Sequence, residues 1–196
     1  NIIDSFAAEQ IPIFRMWVMP FVAPDIEQAT RICWELANEQ EDLKAGLAKW
    51  KIRPLYIWPA DEKGIHLKKS VTKVEDMKGL QIRTPGGLYD LLLDSWGARP
   101  VALPSAETYI ALQRGVVDGA ILHLSSFWGW KWYEQTKYTV MFQGFPLSYE
   151  PSMVAINTDS WAKLPKWAQD ALTKASDEQA KYVVPTLKQM SLDIQK

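Results

Sequence analysis

The sequence predicts an α/β fold with a parallel-rich sheet, and three features of its pattern indicate this. Extended and helical patterns alternate between residues 80 and 123. Gly97 and Gly115 follow two of the helical patterns, at the position where helices commonly end. A last helical pattern runs from Pro165 almost to Lys196. Such alternation is typical of parallel strands joined by right-handed crossover helices.

The first 60 residues predict short extended pieces, two helices and a strand. Three prolines interrupt the apolar segment 11–24, which argues against a long helix there. Asp25 precedes apolar residues at helical spacing and is predicted to cap a helix. A second helix is predicted from Glu39 to Trp50, and the β-branched and aromatic run 52–59 indicates a buried strand.

The alternating part of the chain follows. The polar stretch 60–71 indicates a connection or an exposed strand, and a short helical turn precedes the strand that bears Arg83. Ser105 is predicted to cap the helix after the next strand. The extended run 116–124 then completes a strand, helix, strand, helix, strand order.

Two further strands and the terminal helix come after an aromatic cluster at 127–135. The segments 137–144 and 151–157 are extended patterns joined by a short linker. Aromatic clusters more often fill cores than bind ligands, although some of these rings could line an apolar pocket. Pro185 should kink the terminal helix, because proline removes a backbone donor and clashes with the preceding turn.

The composition is that of a globular chain whose partner is a small molecule or an uncharged protein face. The 196 residues include 22 basic and 23 acidic side chains, mixed along the chain, so no basic stripe suggests nucleic acid. No apolar run is long enough to cross a bilayer, and no signal peptide is seen. The single cysteine, Cys33, predicts a buried thiol. Because the chain starts at Asn1 without a methionine, we expect a processed or truncated protein.

Motifs for catalysis and cofactor binding are few. His66 and His123 are the only histidines, and no nucleophile elbow occurs. No zinc spacing, dinucleotide fingerprint or phosphate loop is found either. We therefore expect no metal, no cofactor and no enzymatic reaction. An enzyme that uses His123 or Asp118 is an alternative that only observed turnover would support.

Four blocks of sequence, in order, carry a family resemblance. They read EDMKGLQIRTPGG, WGARPVALPSAETYIALQRGVVDGAI, WYEQTKYTV and INTDSWAKLPKWAQDAL. The first two contain the patterns K-G-L-x-I-R-x-P and A-L-x-x-G-x-V-D-G. Together they resemble the solute-binding proteins of TRAP transporters, the DctP-like family, over most of residues 52–180.

The resemblance implies a two-lobed periplasmic-binding-protein fold with parallel-rich sheets, an interlobe cleft and a long kinked C-terminal helix. Lobe I would comprise residues 1–60 and 148–185, and lobe II would comprise residues 61–147 and 186–196. Members of the family are usually longer. The chain is therefore expected to lack the start of lobe I and the end of lobe II.

The implied function is transport in the periplasm. By the resemblance, the protein is a monomeric receptor that binds a small organic acid by hinge closure and delivers it to a TRAP membrane permease. Aromatic residues suggest that the acid has an apolar or aromatic body. A sensory or regulatory ligand-binding domain of the same fold is the alternative.

Arg83 matches the ligand-binding arginine of the family, which grips the substrate carboxylate. A planar, always charged guanidinium suits a carboxylate, whereas position alone would equally allow a solvated surface arginine. Lys63 stands where several members place a second basic residue, and its alternative is also a solvated side chain. Glu150 would repel an anionic ligand unless it accepts a hydroxyl or an amine.

Five further residues are candidates for ligand contact. His123 could bind ligand or make a structural hydrogen bond, Trp128 could close the pocket, and Tyr149 lies in the second hinge crossing. Ser105 and Leu122 stand at family ligand positions but differ from the residues usual there, so the identity of the acid stays open. No acidic residue that would help to hold a cation follows the V-D-G pattern, which argues against a metal-bridged keto-acid site.

Asp118 and Gly119 match the family pattern, but we expect structural roles for both. The carboxylate of Asp118 would accept from nearby backbone N–H groups, and Gly119 would allow close approach of a neighbouring backbone.

Overall fold

The computed structural model describes residues 2–3, 19–142 and 146–194. In chain order the strands are β1 (Ile2–Ile3), β2 (Ile52–Pro59), β3 (Lys63–Leu67), β4 (Gln81–Thr84), β5 (Arg99–Ala102), β6 (Gly119–His123), β7 (Tyr138–Val140) and β8 (Pro151–Asn157). The helices are α1 (Ile26–Glu39), α2 (Glu41–Lys49), α3 (Leu88–Ser95), α4 (Ser105–Gln113), α5 (Leu124–Gly129), α6 (Thr158–Lys163) and α7 (Lys166–Ile194). The predicted α/β class is confirmed, and the strands form two sheets.

The first sheet is antiparallel, in the order β1-β8-β2. β2 and β8 pair from Ile52 opposite Asn157 to Pro59 opposite Pro151. Helices α1, α2 and α7 all pack against β2. The start of α1 is capped as predicted, since the backbone N–H of Gln28 donates to the Asp25 carboxylate at 2.7 Å. Most of the segment 11–24, predicted as extended pieces, lies outside the described residues.

The second sheet is mixed, in the order β5-β4-β6-β3-β7. β4 runs parallel to both β5 and β6, which confirms the sequence prediction for the alternating part of the chain. β3 runs antiparallel to β6 and to β7. The carboxyl ends of β4, β5 and β6 therefore meet the amino end of β3 at one edge of this sheet, where open α/β sheets commonly bind ligands.

β3 is fully buried, so the prediction of a connection or an exposed strand is wrong for residues 63–67. Its polar residues satisfy their hydrogen-bonding groups inside the protein. Nε2 of His66 donates to the carbonyl of Leu122 at 3.2 Å, and Nδ1 accepts from the Thr139 hydroxyl at 3.0 Å. The His66 ring also stacks on Phe127, with 3.8 Å between the ring centroids. A polar sequence therefore folds into a core strand here.

Asp118 and Gly119 have the structural roles that the sequence predicts. The Asp118 carboxylate accepts from the backbone N–H of Gln81 at 2.9 Å, which joins the starts of β6 and β4. A Cβ on Gly119 would lie 2.5 Å from the carbonyl oxygen of His66, so only glycine fits between these strands. Gly97 and Gly115 end α3 and α4 at φ of 74° each, also as predicted.

Within the described residues, the chain passes between the two sheets at 59–63 and again at 146–151. The crossings run side by side, because Ala60 N–H donates to the carbonyl of Glu150 at 2.7 Å and Lys63 N–H donates to that of Ser148 at 3.1 Å. Helix α7 packs on β2 of the first sheet and on α5, which directly follows β6 of the second sheet. It continues through Pro185. The kink there and the lobe boundaries stay predictions.

No helix within the described ranges combines the length and the apolar character of a membrane span.

Candidate functional site

A cluster of buried charged side chains lies at the strand-end edge of the second sheet, beside the crossings. Arg83, Lys63 and Glu150 are only 4%, 2% and 5% exposed. Lys63 begins β3 directly opposite His123, the last residue of β6. Arg83 lies near the end of β4, and Glu150 is the last residue before β8. The surface alternatives for Arg83 and Lys63 are therefore wrong.

Arg83 is held by neutral acceptors. Its Nε donates to the carbonyl of Leu103 at 2.8 Å, Nη1 to the carbonyl of Ile121 at 3.1 Å, and Nη2 to the hydroxyl of Ser105 at 3.1 Å. A guanidinium has five N–H donors. Two of the donors of Arg83 therefore have no partner among residues 2–3, 19–142 and 146–194.

The charge of Arg83 is not neutralised by an ion pair with any carboxylate in these ranges. Its guanidinium carbon lies 5.7 Å from the centroid of the Trp132 ring. Burial lowers the pKa of Arg83 to about 10, and the more distant charge of Glu150 opposes that shift. At neutral pH the side chain is thus a buried cation with unused donors.

Ser105 orients Arg83 and does not cap its helix, so the predicted cap is wrong. α4 begins at Ser105 itself, with Pro104 as the N-cap residue and no side-chain cap. The hydroxyl accepts from Arg83 instead. A serine next to a helix start can bond either way, and the buried guanidinium supplies a charged donor, which makes the stronger hydrogen bond.

Lys63 is neutralised within the protein. Its Nζ forms an ion pair with Oε1 of Glu150, donates to the Tyr89 hydroxyl at 3.1 Å, and lies 4.4 Å from the centroid of the Tyr89 ring. Burial alone would lower the pKa of Lys63, but the Glu150 carboxylate and the Tyr89 hydroxyl together outweigh burial and raise it. Burial would raise the pKa of Glu150, but chiefly the charge of Lys63 holds it below its usual value. Both partners are charged at neutral pH.

His123 faces the second oxygen of the same carboxylate. Its Nε2 lies 3.5 Å from Oε2 of Glu150 and makes no hydrogen bond with the part of the chain that the structure describes. Burial, then the charge of Lys63, lower the pKa of His123, while Glu150 and Asp61 act in the opposite direction. The imidazole is therefore neutral at neutral pH and offers an unused ring nitrogen.

Residues that sequence reasoning missed tie the two crossings to helices α3 and α5. The Tyr89 hydroxyl, which Lys63 contacts, also contacts the Ser148 hydroxyl. The Asp61 carboxylate accepts from the backbone N–H and the hydroxyl of Ser125, at 2.7 and 2.6 Å. The available signal was the run of polar residues on both crossings, which a solvated loop would also show.

Three predicted contact residues lie elsewhere. The Leu122 side chain belongs to an apolar core cluster. Trp128 is 55% exposed and stacks on Tyr133 at 4.5 Å between ring centroids. Tyr149 lines a pocket of about 260 Å³ beside α1 and α7, and neither Arg83 nor Lys63 lines that pocket. The structure thus brings together Arg83, Ser105, Lys63 and His123, with Glu150 between the charged groups.

A metal centre is not formed by the described residues. No group of three or more His, Cys, Asp or Glu side chains among them could hold a metal ion.

The family model and the relatives that match this chain all point to the same family. The model of the bacterial extracellular solute-binding protein family 7, DctP, matches residues 3–196. A solute-binding protein of Albidiferax ferrireducens is 29% identical over 200 residues, which cover 97% of this chain and 56% of the relative. The chain thus spans little more than half the length of that relative.

Solved structures share the fold. A TRAP periplasmic solute-binding protein of Rhodoferax ferrireducens with bound malonate has a TM-score of 0.84 and 26% identity, over 98% of this chain and 60% of the other. An extracytoplasmic solute receptor of Bordetella pertussis that binds pyroglutamic acid has a TM-score of 0.85 and 22% identity, over 99% and 62%. The chain belongs to the DctP family of bacterial extracellular solute-binding proteins.

Proposed function

We propose that this chain is part of a periplasmic receptor that binds a small organic acid and delivers it to a TRAP membrane permease. Arg83 carries the proposal. It is a buried cation, held in place by three neutral acceptors, with two donors unused among the described residues. A carboxylate is the group that its planar fork fits best.

The energy available at this residue is sufficient for a binding anchor. A charge-assisted hydrogen bond contributes roughly 1.5–3 kcal/mol. The three bonds to Leu103, Ile121 and Ser105 fix the guanidinium before ligand arrives, so little side-chain entropy is lost on binding. The relatives with malonate and pyroglutamic acid support the same ligand class, since both ligands carry carboxylates.

Ligand entry is proposed to require hinge opening. Arg83, Lys63 and Glu150 are shielded from water, and the two crossings beside them join the antiparallel sheet to the mixed sheet. Rotation about the crossings would open this edge, and ligand contacts would favour the closed state by their differential affinity. The role is binding without catalysis. No feature of the described residues favours the sensory alternative.

The test uses the full-length protein. A thermal-shift screen against aliphatic and aromatic carboxylates, sugar acids and keto acids should find acids that raise the melting temperature, because they bind only the folded state. Calorimetric titration of a hit should show a loss of at least about tenfold in affinity for Arg83→Ala. The matched control is Arg99→Ala, an exposed arginine at the opposite end of the parallel strands.

The proposal is contradicted if no acid binds, or if Arg83→Ala binds within about threefold of the natural protein. Arg99→Ala should stay within that threefold range.

A further inference from the structure

We infer that the site takes a single carboxylate, so that its ligand is a monocarboxylate whose other polar groups are uncharged. This inference rests on the proposed function and deepens it. It follows from the pairing of the charged side chains at this sheet edge: Arg83 has no carboxylate partner among the described residues, whereas Lys63 is paired with Glu150.

Arg83 is the cation available to a carboxylate. It makes all three of its hydrogen bonds to uncharged oxygens, so its charge is not cancelled by direct contact. A carboxylate that binds the two unused donors would neutralise it. One ligand charge is therefore matched at the strand end of β4.

Lys63 is not available to a second carboxylate in the same way. Its ammonium is paired with the Glu150 carboxylate, and both side chains are almost completely buried. A ligand carboxylate that approached Lys63 would also approach Glu150. The attraction of the ligand carboxylate to Lys63 would be largely offset by its repulsion from Glu150. Both interactions are strong here, because water is excluded from the buried pair.

The remaining titratable groups on this side add no positive charge. His123 is neutral, because burial and the charge of Lys63 disfavour its protonation. Asp61, two residues before Lys63, is a further buried carboxylate, held by Ser125. A second ligand carboxylate would thus meet two protein carboxylates and, among the described residues, only the paired cation Lys63.

Uncharged donors and acceptors fit the same place well. Oε2 of Glu150 can accept from a ligand hydroxyl, and Nε2 of His123 makes no hydrogen bond within the described residues. A hydroxyl of the ligand could satisfy that buried nitrogen, which is costly to leave unbonded. The geometry therefore favours a hydroxylated or otherwise neutral body beyond the carboxylate.

Matched pairs of acids test the inference on the full-length protein. Titrations compare lactate with malate, gluconate with glucarate, and benzoate with terephthalate, since each pair differs mainly by a second carboxylate. At pH 7.5, wherever binding is detected, the monocarboxylate should bind at least about tenfold more tightly than its partner.

Variants that change the charge at residue 150 give a more specific test of the inference. Glu150→Gln removes one negative charge and leaves Lys63 without a counter-charge, so the preference within the best pair should move toward the dicarboxylate by about tenfold. The matched control is the double variant Lys63→Gln with Glu150→Gln, which restores the net charge and should leave the preference as in the natural protein. If either variant fails to fold by circular dichroism, the natural protein with the three pairs still decides.

The outcomes separate this inference from the proposed function. Tighter binding of any dicarboxylate than of its monocarboxylate partner overturns the inference, while the receptor function stands if that binding is lost in Arg83→Ala. An unchanged preference in folded Glu150→Gln also overturns it. If none of the six acids binds and the wider screen also finds no acid that binds, both the inference and the proposed function are overturned.

Discussion

Arg83 and Lys63 are two buried cations at one edge of the same sheet, and they differ in their partners. Arg83 contacts two carbonyls and a hydroxyl, whereas Lys63 contacts the carboxylate of Glu150. Burial is nearly the same for both, at 4% and 2% exposed. Burial alone therefore does not make a charge available for binding. The charge of the surrounding groups decides it.

The surroundings of Arg83 and of Lys63 also differ in how much they contribute to the stability of the fold. Taking two charges out of water costs several kcal/mol per ion, and mutual attraction compensates only when both partners are present. The Lys63–Glu150 pair also joins β3 to the second crossing. We therefore expect the Lys63 region to govern stability and the Arg83 region to govern affinity.

The largest expected effect is that of Glu150→Ala on stability. Removal of the carboxylate leaves Lys63 as an uncompensated buried charge, which should lower the free energy of unfolding by about 3–5 kcal/mol. Chemical denaturation of the full-length protein measures the loss. The control is Glu178→Ala, which breaks an exposed ion pair with Lys174 and should cost less than about 1 kcal/mol. A loss for Glu150→Ala as small as that of the control would contradict the account.

The second largest expected effect is a loss of stability at acid pH, caused by His66 on β3. Burial lowers the pKa of His66 to about 4, while an unfolded histidine keeps its ordinary value of about 6.5. Between pH 6.5 and 4, His66 is therefore protonated in the unfolded state and neutral in the native state. Stability is fully present above pH 6.5 and should fall by about 3 kcal/mol as the pH drops toward 4.

Denaturation at several pH values measures this loss, with His66→Gln as the comparison. The variant should lose less stability than the natural protein between pH 6.5 and 4. Arg83 stays charged over this range, since its pKa is about 10. An equal loss in both proteins would exclude His66 as the source.

The smallest expected effect is that of Ser105→Ala on affinity. The Arg83 guanidinium loses one of its three acceptors, which should weaken binding of an acid about three- to tenfold, equivalent to roughly 0.5–1.5 kcal/mol. Titration measures it, with Ser95→Ala on α3 as a control that should bind normally. If Ser105→Ala leaves affinity unchanged, the hydroxyl does not orient Arg83 for binding.

The sequence predicts the helices and the parallel strands well, because glycine ends and side-chain periodicity are local signals. Gly97, Gly115 and Asp25 all lie where such reasoning puts them. β3 is the clear failure. Its lysine and histidine indicate an exposed segment, and only partners far along the chain, Glu150 and Thr139, make its burial possible.

The candidate site shows the same limit. Arg83 and Lys63 could be proposed from the family resemblance, but the resemblance does not say which of them is already paired. Glu150 looked unfavourable beside an anionic ligand, because its sequence position gives no hint that Lys63 neutralises it. Charge pairing between residues 87 positions apart depends on the fold, so it has to be observed in the structure.

The most direct test of the difference between the two cations is a crystal structure of the full-length protein with a bound acid. We expect carboxylate oxygens about 2.7–2.9 Å from the guanidinium nitrogens of Arg83, with the Lys63–Glu150 pair intact. A carboxylate bound to Lys63 with Glu150 displaced, or an acid bound away from Arg83, would contradict it.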